Sequence, residues 1–369
     1  MPMPVATADF DTSALHAWLL RTLPDLRGQV RGPMHVERVE GGQSNPTFFI
    51  GFDKRELVLR KQPGGELLPS AHAVDREYRV LRALAGSDVP VPQALAMCDD
   101  RSVIGTSFYV MERLHGHVMP TLAMPDLAPA QRRAHVMAMA QTLARLHAVD
   151  VAAVGLADYG RPGNYFERQV ARWTRQWQAT RQERSSEFSS AVERIGAWLS
   201  TRIPASQTSA IAHGDFRLGN LMFERGAPHV LGVLDWELST LGHPLADVAY
   251  CCMAWQMQSG DFDGVRDIDL AAGGLPSMEE FIAHYQACGG CSEPMLPFHL
   301  VFSMFRIAVI LDGVAARGRA GNAASSSAAN VGARASAYAQ RALELMDGTR
   351  EAAPQPAIEY GPPRSSARR

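Results

Sequence analysis

Two short apolar runs in the middle of the chain, separated by a Gly-Ala-Pro turn, are the feature that most constrains the fold. The runs Leu221–Phe223 and Val230–Leu234 have the length and separation of a β-hairpin. Asn220 stands immediately before the first run and Asp235 immediately after the second, so a hairpin would place both side chains at the same end of two paired strands. Asp215 lies in the segment that leads into the first run. The sequence therefore predicts that two carboxylates and an amide meet at one end of this hairpin.

Two carboxylates and an amide oxygen in one place favour phosphoryl transfer. In that reaction one carboxylate orients the attacking hydroxyl, while a second carboxylate and an amide oxygen hold Mg²⁺ against the phosphates of a nucleotide. Oxygen donors suit Mg²⁺, a hard cation that keeps part of its water shell. Asp215, Asn220 and Asp235 are the candidates for these roles. The alternative for Asp215 is an acid that only caps a turn or a helix.

The N-terminal third of the chain has the pattern of a small antiparallel sheet. Short runs rich in β-branched and aromatic residues alternate with turn residues, which predicts five strands. A helix with one apolar face is predicted between the third and fourth strands. The predicted strands are Met34–Val39, Thr47–Ile50, Glu56–Arg60, Gln93–Cys98 and Ser107–Met111, and the helix is Asp75–Leu84.

The connection between the first two predicted strands is rich in glycine and polar residues. It contains Gly41, Gly42, Ser44 and Asn45. Backbone N–H groups and a hydroxyl in such a segment can bind the phosphates of a nucleotide. The same residue types are common in ordinary hairpin turns, so the segment by itself leaves both interpretations open.

Glu77 lies beside the apolar stripe of the predicted helix and is expected to point partly inward. An inward carboxylate needs a cationic partner, because a buried unpaired charge is costly. Arg60 and Lys61, at the end of the preceding strand, are the candidates. Successive strand residues point to opposite faces of a sheet, so only one of them can face Glu77.

In the remainder of the chain, apolar residues recur mainly at the spacing of an α-helix. An N-terminal helix is also predicted, with Thr12-Ser13 as its cap. The segment 320–333, rich in Ser, Ala and Gly, is expected to be a loop or a loose helix start. The predicted helices are 13–23, 128–150, 166–180, 191–199, 281–288, 300–311 and 338–346.

Charge and cysteine content restrict the class of protein. The 36 Lys+Arg residues nearly balance 38 Asp+Glu, and the formal charge of −2 gives no general attraction to nucleic acid or to an anionic membrane. The five cysteines include a lone Cys288-Gly-Gly-Cys291, which is weak support for a metal or redox site. The start of the chain does not have the order of a secretory signal, and no apolar run approaches the length of a membrane span. We therefore expect a cytoplasmic protein in a reducing compartment.

Several motifs in order give the chain a family resemblance. HGDFRLGNLMF followed by VLDWE resembles the aminoglycoside phosphotransferase family of small-molecule kinases, over roughly residues 30 to 310. Within that family the chain looks closest to the branch related to the kinase-like domain of acyl-CoA dehydrogenase fusion proteins. The motifs that carry this closer resemblance are GGQSNPTF, LVLRKQPGG, AHAVDREYRVLRAL, FYVMERLHG and LGHPLADVAY.

The resemblance implies a bilobal α+β fold like that of protein kinases, with a small antiparallel sheet lobe followed by a larger, mainly helical lobe. It implies a nucleotide-binding lobe at 31–113 and a catalytic and acceptor-binding lobe at 114–348. Helical spacing predicts a helical N-terminal segment at 1–30, and a Pro, Ser and Arg bias without apolar pattern predicts a disordered tail at 349–369.

The resemblance also implies roles for individual residues. Asp215 resembles the catalytic aspartate, and Asn220 and Asp235 resemble the ligands of Mg²⁺. Glu77 resembles the helix glutamate that pairs with the phosphate-binding cation of the strand, for which the alignment favours Arg60 over Lys61. The segment containing Met111, Glu112 and Leu114 resembles the linker that binds adenine, whereas His213 and Asp247 look like supports of the catalytic loop.

The function implied is transfer of the γ-phosphate of ATP or GTP to a hydroxyl group of a small molecule. The branch favours a hydroxyacyl-CoA or a hydroxy acid as acceptor, with an aminoglycoside-type antibiotic as the second candidate. A regulatory protein that binds nucleotide without turnover is the alternative from another class. The oligomeric state is left open.

Overall fold

The computed structural model describes residues 8–28, 30, 32–39, 45–64, 73–179, 185–260, 264–319 and 328–351. Three predictions fall wholly or largely outside these ranges. They concern Gly41, Gly42 and Ser44 of the polar connection, the first part of the predicted loop at 320–333, and the predicted tail beyond residue 351.

The first lobe is a five-stranded antiparallel sheet with a helix on each face. The strand order is β1-β2-β3-β5-β4, and each neighbouring pair is antiparallel. The elements are α1 (Thr12–Thr22), a 3₁₀ turn (Pro24–Gly28), β1 (His35–Arg38), β2 (Thr47–Phe52), β3 (Arg55–Lys61), α2 (Val74–Leu84), β4 (Ala94–Cys98), α3 (Arg101–Ile104) and β5 (Phe108–Glu112).

The two faces of this sheet pack against different helices. Leu57 and Leu59 of β3 lie in one cluster with Leu15 and Trp18 of α1. Val58, between them in the chain, lies in a second cluster with apolar residues of α2. Because side chains alternate along a strand, this division decides which face each later residue of β3 points to.

The five predicted strands are confirmed to within a few residues, but two details of this lobe were predicted wrongly. The N-cap of α1 is Asp11, whose carboxylate accepts the N–H groups of Ser13 and Ala14 at 2.8 and 3.1 Å, so Thr12 and Ser13 are not the cap. The short helix α3 was not predicted, because a single turn gives no apolar period to detect.

The second lobe is mainly helical. It contains the predicted hairpin of β8 and β9, extended by β6, and a separate pair of β7 with β10. Its elements are β6 (His117–Val118), α4 (Pro129–His147), α5 (Tyr165–Ala179), α6 (Ser186–Ser200), β7 (Ala210–Ala212), a 3₁₀ turn (Leu218–Asn220), β8 (Leu221–Phe223), β9 (Val230–Val233), β10 (Thr240–Gly242), α7 (Pro244–Cys252), a 3₁₀ turn (Met253–Gln256), α8 (Leu270–Gly273), α9 (Met278–Ala287), α10 (Pro297–Arg319) and α11 (Ala328–Glu351). The predicted fold class, a small antiparallel sheet lobe followed by a helical lobe, is confirmed.

Helix α10 corrects the expectation that no apolar run reaches the length of a membrane span. Its segment Pro297–Ala316 has 20 residues and a mean hydropathy of 1.7, which is long and apolar enough by length and composition alone. However, 78% of this segment is buried inside the fold. Phe302 and Phe305 pack with Trp173 and Trp177 of α5, so α10 is a core helix of the second lobe.

Candidate active site

The loop between β7 and β8 is held by a buried carboxylate. Asp247 of α7 accepts the backbone N–H groups of His213 and Gly214 at 2.6 and 2.9 Å. Gly214 has a φ of +84°, and a Cβ at this position would lie 2.7 Å from the carbonyl oxygen of Leu238. Only glycine fits this backbone without displacing the neighbouring chain. The loop geometry therefore depends on both Asp247 and Gly214.

His213 acts as a brace inside the same loop. Its Nδ1 accepts the N–H of Asp215 at 3.2 Å, and its Nε2 lies 2.9 Å from the carbonyl oxygen of Leu234. These contacts assign the proton to Nε2, which then donates to Leu234. Both ring nitrogens are thus engaged by backbone groups, which agrees with the structural role expected of His213.

Asp247 remains a carboxylate despite its burial. Burial by itself raises the pKa of Asp247, but the hydrogen bond and charge of His147, the charge of His213 and the Gly214 N–H together lower that pKa below its usual value. His147 Nε2 lies 3.4 Å from Asp247, and His147 Nδ1 lies 2.7 Å from the hydroxyl of Tyr285. The support of the loop therefore extends into α4 and α9.

The carboxylate of Asp215 is oriented from two sides. One oxygen, Oδ1, accepts a hydrogen bond from the hydroxyl of Tyr250, and the other, Oδ2, accepts one from the Asn220 side-chain amide at 2.9 Å. Nε of Arg217 lies 3.7 Å from Oδ2. Asp215 and Asn220 thus lie together, as the hairpin pattern in the sequence predicted.

Asp235 lies directly after β9, at the same end of the hairpin as Asn220. The N–H of Leu234 donates to the Asn220 carbonyl oxygen at 2.8 Å, which ties the two strand ends together. Asp235 has a φ of +63°, a left-handed conformation that non-glycine residues adopt rarely and often at functional sites. Its side chain is 37% exposed, so the carboxylate is accessible to a ligand.

Asn220 and Asp235 fit a magnesium ion by the chemistry of their donors. Both offer oxygen atoms, one from an amide and one from a carboxylate. Among the described residues there is no group of three or more His, Cys, Asp and Glu side chains that could hold a metal. Two protein ligands suit Mg²⁺, which usually takes its other ligands from phosphates and water.

Arg60 links the first lobe to Asp235. Its Nε lies 3.1 Å from Oε2 of Glu77, and its Nη2 donates to Oδ1 of Asp235 at 3.1 Å. Burial by itself lowers the pKa of Arg60, but Glu77, Tyr109 and Asp235 outweigh it and raise that pKa above its ordinary value. The expected pairing of Glu77 with a strand cation is confirmed, and the cation is Arg60.

Glu77 is fully buried and has further donors. Asn45 Nδ2 donates to Oε1 at 2.6 Å, and the Tyr109 hydroxyl donates to Oε2 at 3.0 Å. Burial raises the pKa of Glu77, an effect that Arg60 and the two hydrogen bonds only partly offset. The side-chain amide of buried Asn45 therefore supports Glu77, a contact that the sequence did not predict, and the expected role of the Asn45 backbone N–H at the phosphates stays a prediction.

Lys61 was named as an alternative phosphate ligand, and the structure contradicts that assignment. Its Nζ lies 2.9 Å from both carboxylate oxygens of Asp9 and 5.1 Å from the ring centroid of Phe10. Like Leu57 and Leu59, Lys61 points to the sheet face covered by α1. The alternation of side chains along β3 therefore separates it from Arg60 and Glu77.

A cavity of about 390 Å³ lies between the sheet lobe and the hairpin. The predicted linker residues Met111, Glu112 and Leu114 line it together with Arg60 and Asp235. The carboxylate of Glu112 accepts the N–H of Gln93 at 2.9 Å, so this side chain is already engaged within the lobe. The remaining lining residues are Val39, Thr47, Phe49, Val58, Leu81, Pro92, Tyr109, Arg113, His115, Gly116, Met222, Arg225, Val233, Leu234 and Trp236.

A second, smaller cavity is lined by Tyr250, whose hydroxyl donates to Asp215, and by Arg217, whose Nε lies 3.7 Å from Asp215, so it adjoins Asp215 through these two neighbours. Its volume is about 60 Å³, and its walls are mainly apolar. Arg217 is the one charged residue among the described residues that line it, and Tyr250 lines it next to Asp215. The full lining is Pro120, Leu122, Met139, Arg217, Leu218, Gly219, Tyr250, Cys251, Met253, Ala254, Ile307 and Tyr338.

Sequence reasoning missed Tyr109, Tyr250 and Arg306. Arg306 is buried in α10, and its Nη2 donates to the carbonyl oxygen of Gly214 at 2.6 Å. A basic residue within the apolar run of α10 was a visible signal, because a buried arginine must have partners. Tyr250 gave no comparable signal, since a tyrosine in an apolar helix is usually core.

A family model and a curated relative match most of this chain. The model of the phosphotransferase enzyme family matches residues 35–281. Acyl-CoA dehydrogenase family member 10 of Mus musculus is 44% identical over 321 residues, which cover 85% of this chain and 29% of that protein. The chain spans less than half the length of the curated relatives that it matches.

Solved structures share the fold. A crystal structure of a Ralstonia eutropha JMP134 protein, assigned to the aminoglycoside phosphotransferases, has a TM-score of 0.81 and 42% identity, and the match covers 92% of this chain and 99% of that one. A thermostable mutant of aminoglycoside phosphotransferase APH(4)-Ia, crystallised with AMP-PNP and hygromycin B, has a TM-score of 0.59 and 16% identity, with 90% and 99% covered. At that identity the second match indicates the fold alone.

Proposed function

The chain belongs to the phosphotransferase enzyme family of small-molecule kinases, and from that premise we propose that it moves the γ-phosphate of ATP to a hydroxyl group of a small molecule. One observation carries the proposal. Arg60 connects Glu77 of the first lobe to Asp235 of the second at the wall of the interlobe cavity, and Asp235 shares the end of the hairpin with Asn220 and Asp215. GTP is the second candidate for the phosphate donor.

The nucleotide would lie in the cavity between the lobes. Its adenine would face the wall formed by Met111, Glu112 and Leu114, and its phosphates would face Arg60. Glu77 holds Arg60 in place, so the guanidinium does not have to be ordered when phosphate binds. Asn220 and Asp235 would hold Mg²⁺, which, when bound, neutralises the charge that develops on the phosphate oxygens.

Asp215 would align the acceptor. Its carboxylate is oriented by Tyr250 and Asn220, and each of its oxygens keeps a lone pair for a further hydrogen bond. An acceptor hydroxyl that donates to this carboxylate has its own lone pair directed away, toward the phosphate, and can pass its proton to Asp215 as the new bond forms.

The cavity beside Asp215 supports an acceptor with an apolar chain. Its lining is mainly apolar, and its charged lining residue is the cationic Arg217. A polycationic aminoglycoside calls for acidic lining, whereas an aliphatic chain with a hydroxyl suits these walls. We therefore propose a hydroxyacyl-CoA or a hydroxy acid as acceptor. The antibiotic acceptor stays the second candidate, on the strength of the fold shared with the hygromycin B complex.

Phosphate transfer to a panel of acceptors tests the proposal. Hydroxy fatty acids of short and medium chain length, their coenzyme A thioesters and hygromycin B are each incubated with the protein, Mg²⁺ and ATP, and the phosphorylated acceptor and ADP are measured. We expect transfer to at least one acyl acceptor, and a loss of about 10²- to 10⁴-fold in Asp215→Asn. Asp347→Asn, a half-exposed acid on α11, serves as the matched control and should keep full activity.

Two outcomes contradict the proposal in different ways. Full activity in Asp215→Asn removes Asp215 from the mechanism. Binding of AMP-PNP that requires Mg²⁺, without transfer to any acceptor, favours the alternative of a nucleotide-binding regulatory protein. The cytoplasmic location stays a prediction that these assays do not address.

A further inference from the structure

Tyr250, the last residue of the LGHPLADVAY motif, contacts Asp215 from a helix that does not carry the catalytic loop. It lies on α7, is half-buried, and donates its hydroxyl proton to Oδ1 of Asp215. The opposite oxygen, Oδ2, accepts from Asn220, which belongs to the catalytic loop itself. Each oxygen therefore has one strong donor, and the two donors lie on opposite sides of the carboxylate. The plane of the carboxylate is fixed only while both are present.

Arg306 holds both Tyr250 and the loop that carries Asp215. Its guanidinium carbon lies 5.8 Å from the ring centroid of Tyr250 and 5.8 Å from that of Trp173. Its Nη2 donates to the carbonyl oxygen of Gly214, the residue before Asp215. Helix α10 thus contacts the ring that orients the carboxylate and the backbone that carries it. This buried cation therefore ties the Tyr250 ring to the backbone of the loop that Asp247 and His213 also hold.

Near neutral pH, the Tyr250 hydroxyl of the folded protein keeps its proton and acts as a hydrogen-bond donor. Burial raises the pKa of Tyr250 well above its usual value, and the neighbouring charge of Asp215 raises that pKa further, against the opposing effects of Arg306 and Arg217. A neutral phenol with a carboxylate as partner donates its proton in a charge-assisted hydrogen bond. The bond to Oδ1 is therefore present before any acceptor enters.

Tyr250 also forms part of the wall of the cavity beside Asp215. An acceptor hydroxyl that reaches Asp215 from this cavity must use a lone pair of the carboxylate that Tyr250 has left free. We propose that Tyr250 is a positioning residue for phosphoryl transfer, held by Arg306, that turns the free lone pairs of Asp215 toward the acceptor hydroxyl. This inference rests on the proposed function, because it assigns to Asp215 the role of aligning the acceptor.

The test removes the hydroxyl and keeps the ring. Tyr250→Phe is assayed with Mg²⁺, ATP and the same acceptors, a medium-chain hydroxy fatty acid, its coenzyme A thioester and hygromycin B. We expect kcat for the acceptor that the wild type uses best to fall by about 10- to 100-fold, the effect of a misplaced catalytic group. The dissociation constant for AMP-PNP with Mg²⁺ should not change, because Arg60, Glu77 and Asp235 are untouched. A merely structural tyrosine would not separate kcat from nucleotide binding in this way.

Two further variants keep the result interpretable. Tyr165→Phe removes the hydroxyl of a half-buried tyrosine on α5 that lines neither of the two cavities described above, and it leaves the partners of Asp215 in place, so it should retain kcat. Arg306→Lys keeps the charge but loses the planar contact with the Tyr250 ring, and it should lower kcat in the same direction as Tyr250→Phe with unchanged AMP-PNP binding.

The outcomes separate the two proposals. In the first outcome, the wild type transfers phosphate, Asp215→Asn does not, and Tyr250→Phe keeps the wild-type kcat. The inference about Tyr250 is then wrong, and the proposed function stands. If the wild type transfers phosphate to none of the acceptors, the proposed function itself fails and the inference fails with it. A loss of kcat in Tyr165→Phe as large as that in Tyr250→Phe would also overturn it, since the effect would then follow from removing any half-buried tyrosine hydroxyl of this lobe.

Discussion

Arg60 and Lys61 are adjacent residues whose side chains point to opposite faces of the sheet in the first lobe. Arg60 is paired with Glu77 and Asp235 in the cleft, and Lys61 is paired with Asp9 under α1. Both are cations at the end of the same strand, so their chemistry alone does not distinguish them. The pleat of β3 distinguishes the two residues, because consecutive side chains of a strand point in opposite directions.

This pair gives a prediction with a built-in control. Arg60→Met removes the proposed phosphate contact, and we expect the affinity for AMP-PNP with Mg²⁺ to fall by about 10- to 100-fold, as for the loss of one charge-assisted hydrogen bond. Lys61→Met should leave that affinity unchanged while lowering thermal stability, since it leaves Asp9 without its cation. Isothermal titration calorimetry and thermal unfolding measure the two effects.

Equal losses of nucleotide affinity in both variants would contradict the assignment of the two faces. Arg60→Met also removes the cation beside buried Glu77, so its folding must be checked. If that variant does not fold, Arg60→Lys replaces it, because a lysine keeps the charge but lacks the planar fork that reaches Glu77 and Asp235 together. It should bind AMP-PNP more weakly than the wild type.

At the scale of single residues, sequence predicts local chemistry better than distant partners. The meeting of Asp215, Asn220 and Asp235 was predictable because one hairpin fixes all three. Tyr250 and Arg306 were not, since no local pattern indicates that these two side chains contact Asp215 and the backbone of Gly214. The polar segment was expected to bind phosphates through its backbone, and its polarity did not indicate that the Asn45 side chain pairs with Glu77.

At the scale of elements, three helices meet at a pair of buried histidines. His243 is the N-cap of α7, and His299 lies near the start of α10. Their rings stack with centroids 6.0 Å apart, and Phe166 of α5 packs against both at 5.0 and 5.2 Å. Nδ1 of each ring accepts a backbone N–H, from Leu245 for His243 and from Leu296 for His299. Both rings therefore act as acceptors at a helix start.

Burial lowers the pKa of His243, and it lowers the pKa of His299 from 6.5 to about 4. The carboxylate of Glu293, 3.5 Å from His243 Nε2, opposes this effect, and His147 adds to it for His243. Both pKa values are lower in the folded protein than in the unfolded chain, so protonation favours the unfolded chain. The stabilising contribution of neutral His299 is complete above about pH 6.5 and is lost as the pH falls toward 4.

The second prediction follows from the direction of the His299 pKa shift. Because of this shift, the unfolding free energy of the wild type should fall by about 3 kcal/mol between pH 6.5 and pH 4. His299→Asn keeps an acceptor for the Leu296 N–H but cannot take up the proton, so its unfolding free energy should fall less steeply over that range. Urea unfolding at a series of pH values measures the slope. His35→Asn, at an exposed position of β1, is the control and should keep the wild-type slope, and an unchanged slope in His299→Asn would contradict the prediction.

Elements with a clear apolar period were predictable, and those set by tertiary packing were not. The five strands, α2, α4 and the β8–β9 hairpin follow from alternation or helical spacing. The start of α1 was placed one residue late because Asp11, Thr12 and Ser13 are all good capping residues, and only the geometry selects Asp11. The length of α10 was underestimated because polar residues interrupt its apolar run, although the fold buries several of them.

At the scale of the whole molecule, the resemblance drawn from ordered motifs is confirmed at the level of family and fold. The motif set predicted a two-lobed small-molecule kinase related to acyl-CoA dehydrogenase fusion proteins, and the family model, the curated relatives and the solved structures agree. The acceptor could not be predicted in the same way. The cavity proposed to bind the acceptor is built from α4, α7, α10 and α11, and these contributions are scattered along the chain.

The two lobes are joined through the proposed nucleotide site itself. Arg60 of β3 reaches Asp235 after β9, and this ion pair crosses the cavity in which the nucleotide would lie. Asp235 is also a proposed ligand of Mg²⁺, so a bound metal and Arg60 would share its carboxylate. Nucleotide binding is therefore expected to stabilise both lobes together, with a contribution that depends on the metal.

The third prediction is that AMP-PNP stabilises the protein against thermal unfolding only when Mg²⁺ is present. At a free ligand concentration of 100 times its dissociation constant, a ligand that binds only the folded state adds about 2.7 kcal/mol to the unfolding free energy. Asp235→Asn replaces one carboxylate oxygen by an amide nitrogen and should lose most of the Mg²⁺-dependent part of this gain. Asp347, on α11, does not line the interlobe cavity, so Asp347→Asn should keep the Mg²⁺-dependent gain in stability. If AMP-PNP stabilises the wild type equally with Mg²⁺ and with a chelator, the metal does not belong to this site, and the roles proposed for Asn220 and Asp235 must be revised.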